Sequence, residues 1–184
     1  MVEYDSFSAW LAAYDNSILT NLSLFLDIFT YFILALFLLY LAFIKKDRKK
    51  AAVILVTYIC LILLIPTLKF AFSEVRPCSA PWKIQCPSDY SLPSGHAAAV
   101  AVILIAYLTT RLFPYALLAY VVVSLSRIYL GVHVFKDIIA GTSLAFAIFL
   151  IVEALLSKSL GNYFSQSEED KRTQRKRWLV ESKK

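Results

Sequence analysis

The stretch Leu22–Ile44, LSLFLDIFTYFILALFLLYLAFI, decides the fold: its 23 residues carry one charged side chain, Asp27. A bilayer core takes about 20 residues of helix, with a range of roughly 17–25. KKDRKK follows at once (Lys45–Lys50), five bases around one acid, and AAVILVTYICLILLIPTLKFAF (Ala51–Phe72) then repeats the apolar pattern. Two apolar runs of spanning length joined by a basic loop read as a transmembrane hairpin with its loop in the cytoplasm.

Working outward, three more apolar segments appear at 97–113, 114–129 and 138–156. The last meets the spanning length. The other two are short and borrow residues from flanking polar motifs. The expectation is an all-α, polytopic membrane helix bundle with five transmembrane spans. Composition agrees, with 59% of the 184 residues apolar, 17% charged and a mean hydropathy of +0.65. A disordered chain needs low hydrophobicity, and a simple soluble domain of this size has too little interior for so much apolar surface.

Residues 1–20 differ. Phe7, Trp10, Leu11 and Tyr14 recur at helical spacing, which predicts a helix lying in the membrane interface. Three regions result: an interfacial segment at 1–20, a membrane-embedded domain at 21–157, and a basic, mobile cytoplasmic tail at 158–184. The net charge is +6. Nucleic-acid binding is one reading of basic runs. In so apolar a chain they are topology signals, and no nucleic-acid partner is expected; the partners are the bilayer and a lipid substrate. The basic loop, the turn at Arg111 and the tail alternate correctly with five spans. The N-terminus and the loops 73–93 and 126–137 then lie outside the plasma membrane. Cys78 and Cys86 fall in the first of these loops, where an oxidising exterior permits a disulfide; two free thiols are the alternative. No Cys/His metal spacing is present, so neither metal nor cofactor is expected.

The polar residues that a membrane chain should avoid gather in the outer loops. Lys69 and Arg76 are seven residues apart, two turns of helix, so they can share one face before Pro77 stops it. Pro93-Ser94-Gly95-His96 opens the third apolar run. Ser94 suits an N-cap, Gly95 lets the backbone approach a ligand, and the helix start aims N–H groups at an anion. Ser126-Arg127 precedes His133 and, four residues later, Asp137. Spacing of i, i+4 lets Asp137 hold one imidazole nitrogen and leave the other free to attack. Three cations (Lys69, Arg76, Arg127), a helix N-terminus, a His–Asp pair and a second histidine make phosphoryl transfer through a histidine the expected chemistry. Asp27 is an intramembrane acid, read either as snorkelling to the interface or as a polar contact. Glu74 either pairs with a cation or faces water.

The pattern Lys69-x6-Arg76-Pro77, Pro93-Ser94-Gly95-His96, Ser126-Arg127-x5-His133-x3-Asp137 resembles the three-part signature of the type 2 phosphatidic acid phosphatases. The resemblance implies that His133 attacks phosphorus and becomes a phosphohistidine, that Asp137 orients it, and that His96 protonates the leaving oxygen. It implies that Lys69, Arg76, Ser94, Gly95 and Arg127 bind phosphate oxygens, without magnesium, with Pro77, Pro93 and Ser126 shaping the motifs. The family fold is a six-helix bundle, so the first helix of the pattern is either missing here or replaced by segment 1–20. The expected substrate is a polyprenyl diphosphate at the outer leaflet. Phosphatidate or phosphatidylglycerophosphate is the alternative, as is a lipid phosphotransferase using the same residues.

Overall fold

The structure, a computed structural model, describes residues 5–78 and 83–181, with side chains through Lys158. It is all helical among the described residues: α1 Ser6–Ala13, α2 Ser17–Leu39, a π-helical turn Tyr40–Ile44, α3 Arg48–Phe72, α4 Gly95–Ala106, α5 Phe113–Tyr129 and α6 Phe135–Glu181. The chain up to Phe149 forms one compact unit, and Leu150–Lys184, the distal part of α6, forms another. Everything that follows concerns the first. The tail read from Lys158 onward continues as helical backbone to Glu181.

Helices α1 to α4 each start where a side chain satisfies open N–H groups, whereas α5 starts at Phe113-Pro114 without one. Asp5 caps α1 through Ser8 N at 2.8 Å. Asn16 caps α2 through Ile18 N and Leu19 N, Asp47 caps α3 through Lys50 N, and Ser94 caps α4 through Ala97 N. The expected cap at Ser94 is therefore present. Three segments are long and apolar enough to cross a membrane: Ser17–Ile44, Arg48–Phe72 and Phe135–Lys158. Helices α4 and α5 have 12 and 17 residues, or about 18 and 26 Å at 1.5 Å per residue, short of a core of about 30 Å. Helix α4 does not run on to residue 113 as expected. It ends at Ala106, and Thr110 then turns the chain by donating to Tyr107 O (3.0 Å) and accepting from Leu112 N (3.2 Å). Such local hydroxyl–backbone bonds compete with helix continuation.

Helix α4 is the pivot of the first unit. Ala97, Ala98, Ala101 and Val102 are fully buried. Their small side chains let neighbouring backbones come close, the usual way helices associate in lipid. Helices α3 and α5 both pack on α4. At one point a bare backbone is required: a Cβ added to Gly141 of α6 would stand 2.4 Å from Ser94 O.

Helix α1 is anchored by hydrogen bonds as well as by packing. Ser8 is fully buried, and its Oγ accepts from Phe135 N at 3.0 Å, capping the start of α6. Phe7, Trp10 and Tyr14 stay exposed while Leu11 packs on the buried residues of α5 and the segment after it. Lys83 fixes the α1–α2 turn from the opposite side, donating to Ala12 O (2.7 Å), Tyr14 O (2.6 Å) and Tyr129 O (3.0 Å).

Candidate active site

The polar residues singled out in the sequence converge on one cavity of about 610 Å3, lined by Lys69, Arg76, Gly95, His96, Arg127 and His133 together with Asp27, Tyr31 and Asp89. Two local expectations fail in instructive ways. Lys69 and Arg76 do not share a helix face. Helix α3 ends at Phe72 because Ser73 takes a left-handed conformation (φ 51°) and its Oγ donates to Phe70 O at 2.6 Å. Pro77 therefore lies five residues beyond the helix end, not at its stop. The two cations meet instead through Asp89, which Lys69 Nζ and Arg76 both contact. Likewise His133 and Asp137 are not on one helix face, because α6 begins only at Phe135.

The His133–Asp137 contact arises from the helix start itself. Val134 N donates to Asp137 Oδ2 at 3.0 Å while Asp137 N donates to Val134 O at 3.0 Å, a reciprocal cap of the first turn. That geometry brings Oδ2 to 3.1 Å from His133 Nδ1. An ionised carboxylate only accepts, so Nδ1 carries the proton. The other ring nitrogen lies 3.2 Å from Arg76 Nη1. A guanidinium only donates, so Nε2 presents its lone pair to the cation-lined cavity. His133 is 2% exposed. Burial and the nearby Arg76 and Arg127 push its imidazole below the ordinary histidine value, against the opposing pull of Asp137. A buried, neutral imidazole with a fixed tautomer and a lone pair beside an arginine is competent for nucleophilic attack on phosphorus.

Ser91, which the sequence reading missed, completes this group. It is 2% exposed and its Oγ donates to Asp137 Oδ2. Asp137 also accepts from Ser94 N through its backbone carbonyl at 3.0 Å, which ties the start of α4 to the start of α6. Across the cavity, His96 Nε2 donates to Asp27 O at 3.1 Å, and its ring lies 4.7 Å from that of Tyr31. Arg127, 3% exposed, pairs with the Asp27 carboxylate, and its Nε has no hydrogen-bond partner. Asp27 is therefore a polar contact inside the site. Glu74 pairs with Lys136, not with Lys69 or Arg76.

Cys78 and Cys86 form a disulfide with Cα atoms 5.8 Å apart. Cys78 N also donates to Gly131 O at 2.8 Å, which docks the Arg76 segment against the turn before His133. Pro93 stands just before the cap of α4, and Ser126 donates to Val123 O at 2.7 Å. Among the described residues, no three His, Cys, Asp or Glu side chains converge as a metal site.

A family model described as "PAP2 superfamily" matches residues 50–160, which include the motif residues from Lys69 to Asp137. The chain belongs to the PAP2 superfamily. Among curated proteins it is 32% identical over 104 residues to an undecaprenyl-diphosphatase of Sulfolobus acidocaldarius, covering 53% of this chain and 50% of that one. It is 34% identical over 109 residues to phosphatidylglycerophosphatase B of Bacillus subtilis, covering 52% and 53%. These matches span about half the length of each relative. Two solved structures superpose more completely. The PAP2-type phosphatidylglycerolphosphate phosphatase of Bacillus subtilis gives a TM-score of 0.68 at 26% identity, covering 83% of this chain and 84% of that one. Aquifex aeolicus LpxE gives 0.65 at 20% identity, covering 83% and 95%, a likeness of fold. The chain is a PAP2 membrane protein in which Lys69, Arg76, Gly95, His96, Arg127 and His133 line one cavity.

Proposed function

We propose that this PAP2 protein hydrolyses a polyprenyl diphosphate to its monophosphate at the outer leaflet, through a phosphohistidine on His133. One observation carries the reading. The polar cavity shares Tyr31, Ile65, Pro66 and Gly95 with an apolar cavity of about 450 Å3 between α2, α3 and α4, lined otherwise by aliphatic side chains and Tyr58. A charged site beside an apolar cavity suits an amphiphile, and in this reading the cavity takes part of a polyprenyl chain.

In this reading the phosphoryl oxygens bind Lys69, Arg76, Arg127 and the Gly95 N–H at the start of α4, while Ser94 shapes that start, its own N–H held by Asp137 O. The His133 Nε2 lone pair forms the N–P bond as the P–O bond to the lipid monophosphate breaks. His96 gives its proton to that leaving oxygen. Asp137, supported by Ser91, holds Nδ1–H and stabilises the charge that develops on the ring. A water then attacks phosphorus, His96 takes its proton, the N–P bond breaks, and orthophosphate leaves. The topology that accompanies this is five spans, α1 in the interface, N-terminus and site outside, C-terminus in the cytoplasm.

A second reading, a phosphatidylglycerophosphate or phosphatidate monoesterase, draws support from the likeness to the Bacillus subtilis proteins. Phosphate release from a polyprenyl diphosphate and from phosphatidate, side by side in detergent micelles with EDTA and a His133→Ala control, separates the two. Preference for the diphosphate is expected. Preference for phosphatidate transfers the same mechanism to the second reading, and release from neither refutes both.

A further inference from the structure

The cations of the cavity direct their hydrogen bonds at two carboxylates. Lys69 Nζ contacts Asp89 Oδ2. Arg76 reaches the same side chain through Nη2 (2.7 Å) and Nε (3.1 Å) to Oδ1. Arg127 Nη1 contacts Asp27 Oδ1. The cations are the buried partners and the carboxylates the accessible ones. Side-chain exposure is 11% for Lys69 and 6% for Arg76 against 52% for Asp89, and 4% for Arg127 against 22% for Asp27. The cationic cradle is thus fixed in the protein interior, while each acid lies at the cavity side and can leave its partner for solvent. Burial alone would raise the Asp89 carboxyl, but hydrogen bonds from Lys69 and Arg76 outweigh it and hold it below the usual carboxylate range.

We propose that Asp89 and Asp27 are specificity-determining internal anions: they occupy the phosphate cradle, yield to a phosphate that is attached to a lipid, and return to expel free orthophosphate. The inference rests on the cavity being the phosphate site of the proposed function. A phosphoryl group that binds must replace strong charge-assisted bonds that already exist. A lipid brings additional binding from its tail in the adjoining apolar cavity, and binding energy from a remote part of a substrate can offset such a cost at the reacting centre. Orthophosphate, once released, has no tail and competes with the two carboxylates unaided. The cost falls on both ligands alike, but the lipid, held also by its tail, still binds at concentrations where orthophosphate no longer does, so product inhibition is weakened.

The test is orthophosphate titration of the purified full chain in detergent by calorimetry, with lipid hydrolysis measured alongside. Asp89→Asn keeps the shape of the side chain and removes its charge. Orthophosphate should then bind tighter by roughly tenfold or more, the scale of one charge-assisted hydrogen bond. Its inhibition constant in the hydrolysis assay should fall in step, so that orthophosphate inhibits at concentrations that leave the wild type active. Asp89→Glu should restore wild-type phosphate affinity. Asp27→Asn, on α2 and not on the loop that carries Asp89, should shift affinity in the same direction and decides the matter if Asp89→Asn does not fold. Unchanged or weaker orthophosphate binding in the Asn variants overturns the proposal, as does equal tightening in Asp89→Glu. Failure of the wild type to hydrolyse lipid phosphates would refute the proposed function instead, and the titration would still read the cradle directly.

Discussion

Gly141→Ala adds a single methyl group in α6, at a distance from any reacting atom, and it should cripple the site. The added Cβ would stand 2.4 Å from Ser94 O, where ordinary contact begins at 3.4 Å. The obstacle is backbone and cannot rotate away, so the start of α4 and the first turns of α6 must separate by about 1 Å. Between them runs the Ser94 N to Asp137 O hydrogen bond. Overpacking of this kind costs about 1–3 kcal/mol. Alanine also gains roughly 1 kcal/mol over glycine inside a helix. The net loss of stability should then be about 0–2 kcal/mol, and the fold should survive. Activity is the sensitive readout. A misplacement of about 1 Å between reacting groups can cost on the order of 100-fold in rate, so kcat for lipid phosphate hydrolysis should fall by about that factor. Gly95→Ala is the structural control: its Cβ would meet only Tyr31 Oη at 3.2 Å and Ile65 Cγ2 at 4.0 Å, side-chain atoms that can give way. Its thermal midpoint should fall less than that of a backbone clash. A Gly141→Ala protein with wild-type kcat and an unchanged Tm would refute the claim that this contact sets the geometry of the site.

Ser91→Ala removes the hydroxyl donor to Asp137 Oδ2 and should cost about 1–3 kcal/mol at the buried carboxylate, visible as a lower Tm and a slower kcat with little change in KM. Because burial and nearby cations lower the His133 value, the nucleophile stays neutral to below pH ~6.5, the ordinary histidine value; the acid limb of kcat/KM should lie under that pH, and a limb above it would contradict the burial argument. Hydrolysis should persist in EDTA, and complete loss restored by magnesium would refute a mechanism run by His133, His96 and the cations alone. Asp15→Cys, exposed in the α1–α2 turn, should react with an impermeant maleimide on intact cells while Lys49→Cys reacts only after lysis; the opposite pattern would move the site to the cytoplasmic face.

The two long early helices were legible in the sequence because lipid imposes length and apolarity together, and little else reads that way. Residues Lys69 to Asp137 were legible as a set because charged groups are conspicuous in an apolar chain. Their local geometry was not. The spacing of Lys69 and Arg76 suggested one helix face, but Ser73 breaks α3 at Phe72, and no periodicity reports a left-handed cap. His133 and Asp137 suggested i, i+4 on a helix, whereas the contact is made by a helix cap with His133 outside it. Ser91, Asp89 and Gly141 carried no signal of their own: a serine and an aspartate are ordinary in an exposed loop, and one glycine in a helix is tolerated. Asp27 did carry one, as the lone acid in 23 apolar residues, but its partner Arg127 lies 100 positions away and only the packing of α2 on α5 brings them together.

These late-found residues explain how two histidines on different elements come to line one cavity. His96 follows the cap of α4, and His133 precedes the start of α6. The two helix starts are joined directly by Ser94 N to Asp137 O, and the absence of a side chain at Gly141 permits that joint. Lys69 and Arg76 are held by Asp89 on the same loop that carries Ser91, which bonds Asp137. Cys78–Cys86 and the Cys78 N to Gly131 O bond close that loop on the turn before His133. Every group assigned to phosphoryl transfer thus lies within a few bonds of the α4–α6 junction or of Asp89. Conservative changes in the apolar faces of α2 and α3 should therefore alter lipid preference through the apolar cavity, whereas equally small changes at Ser91, Ser94 or Gly141 should lower turnover for every substrate alike.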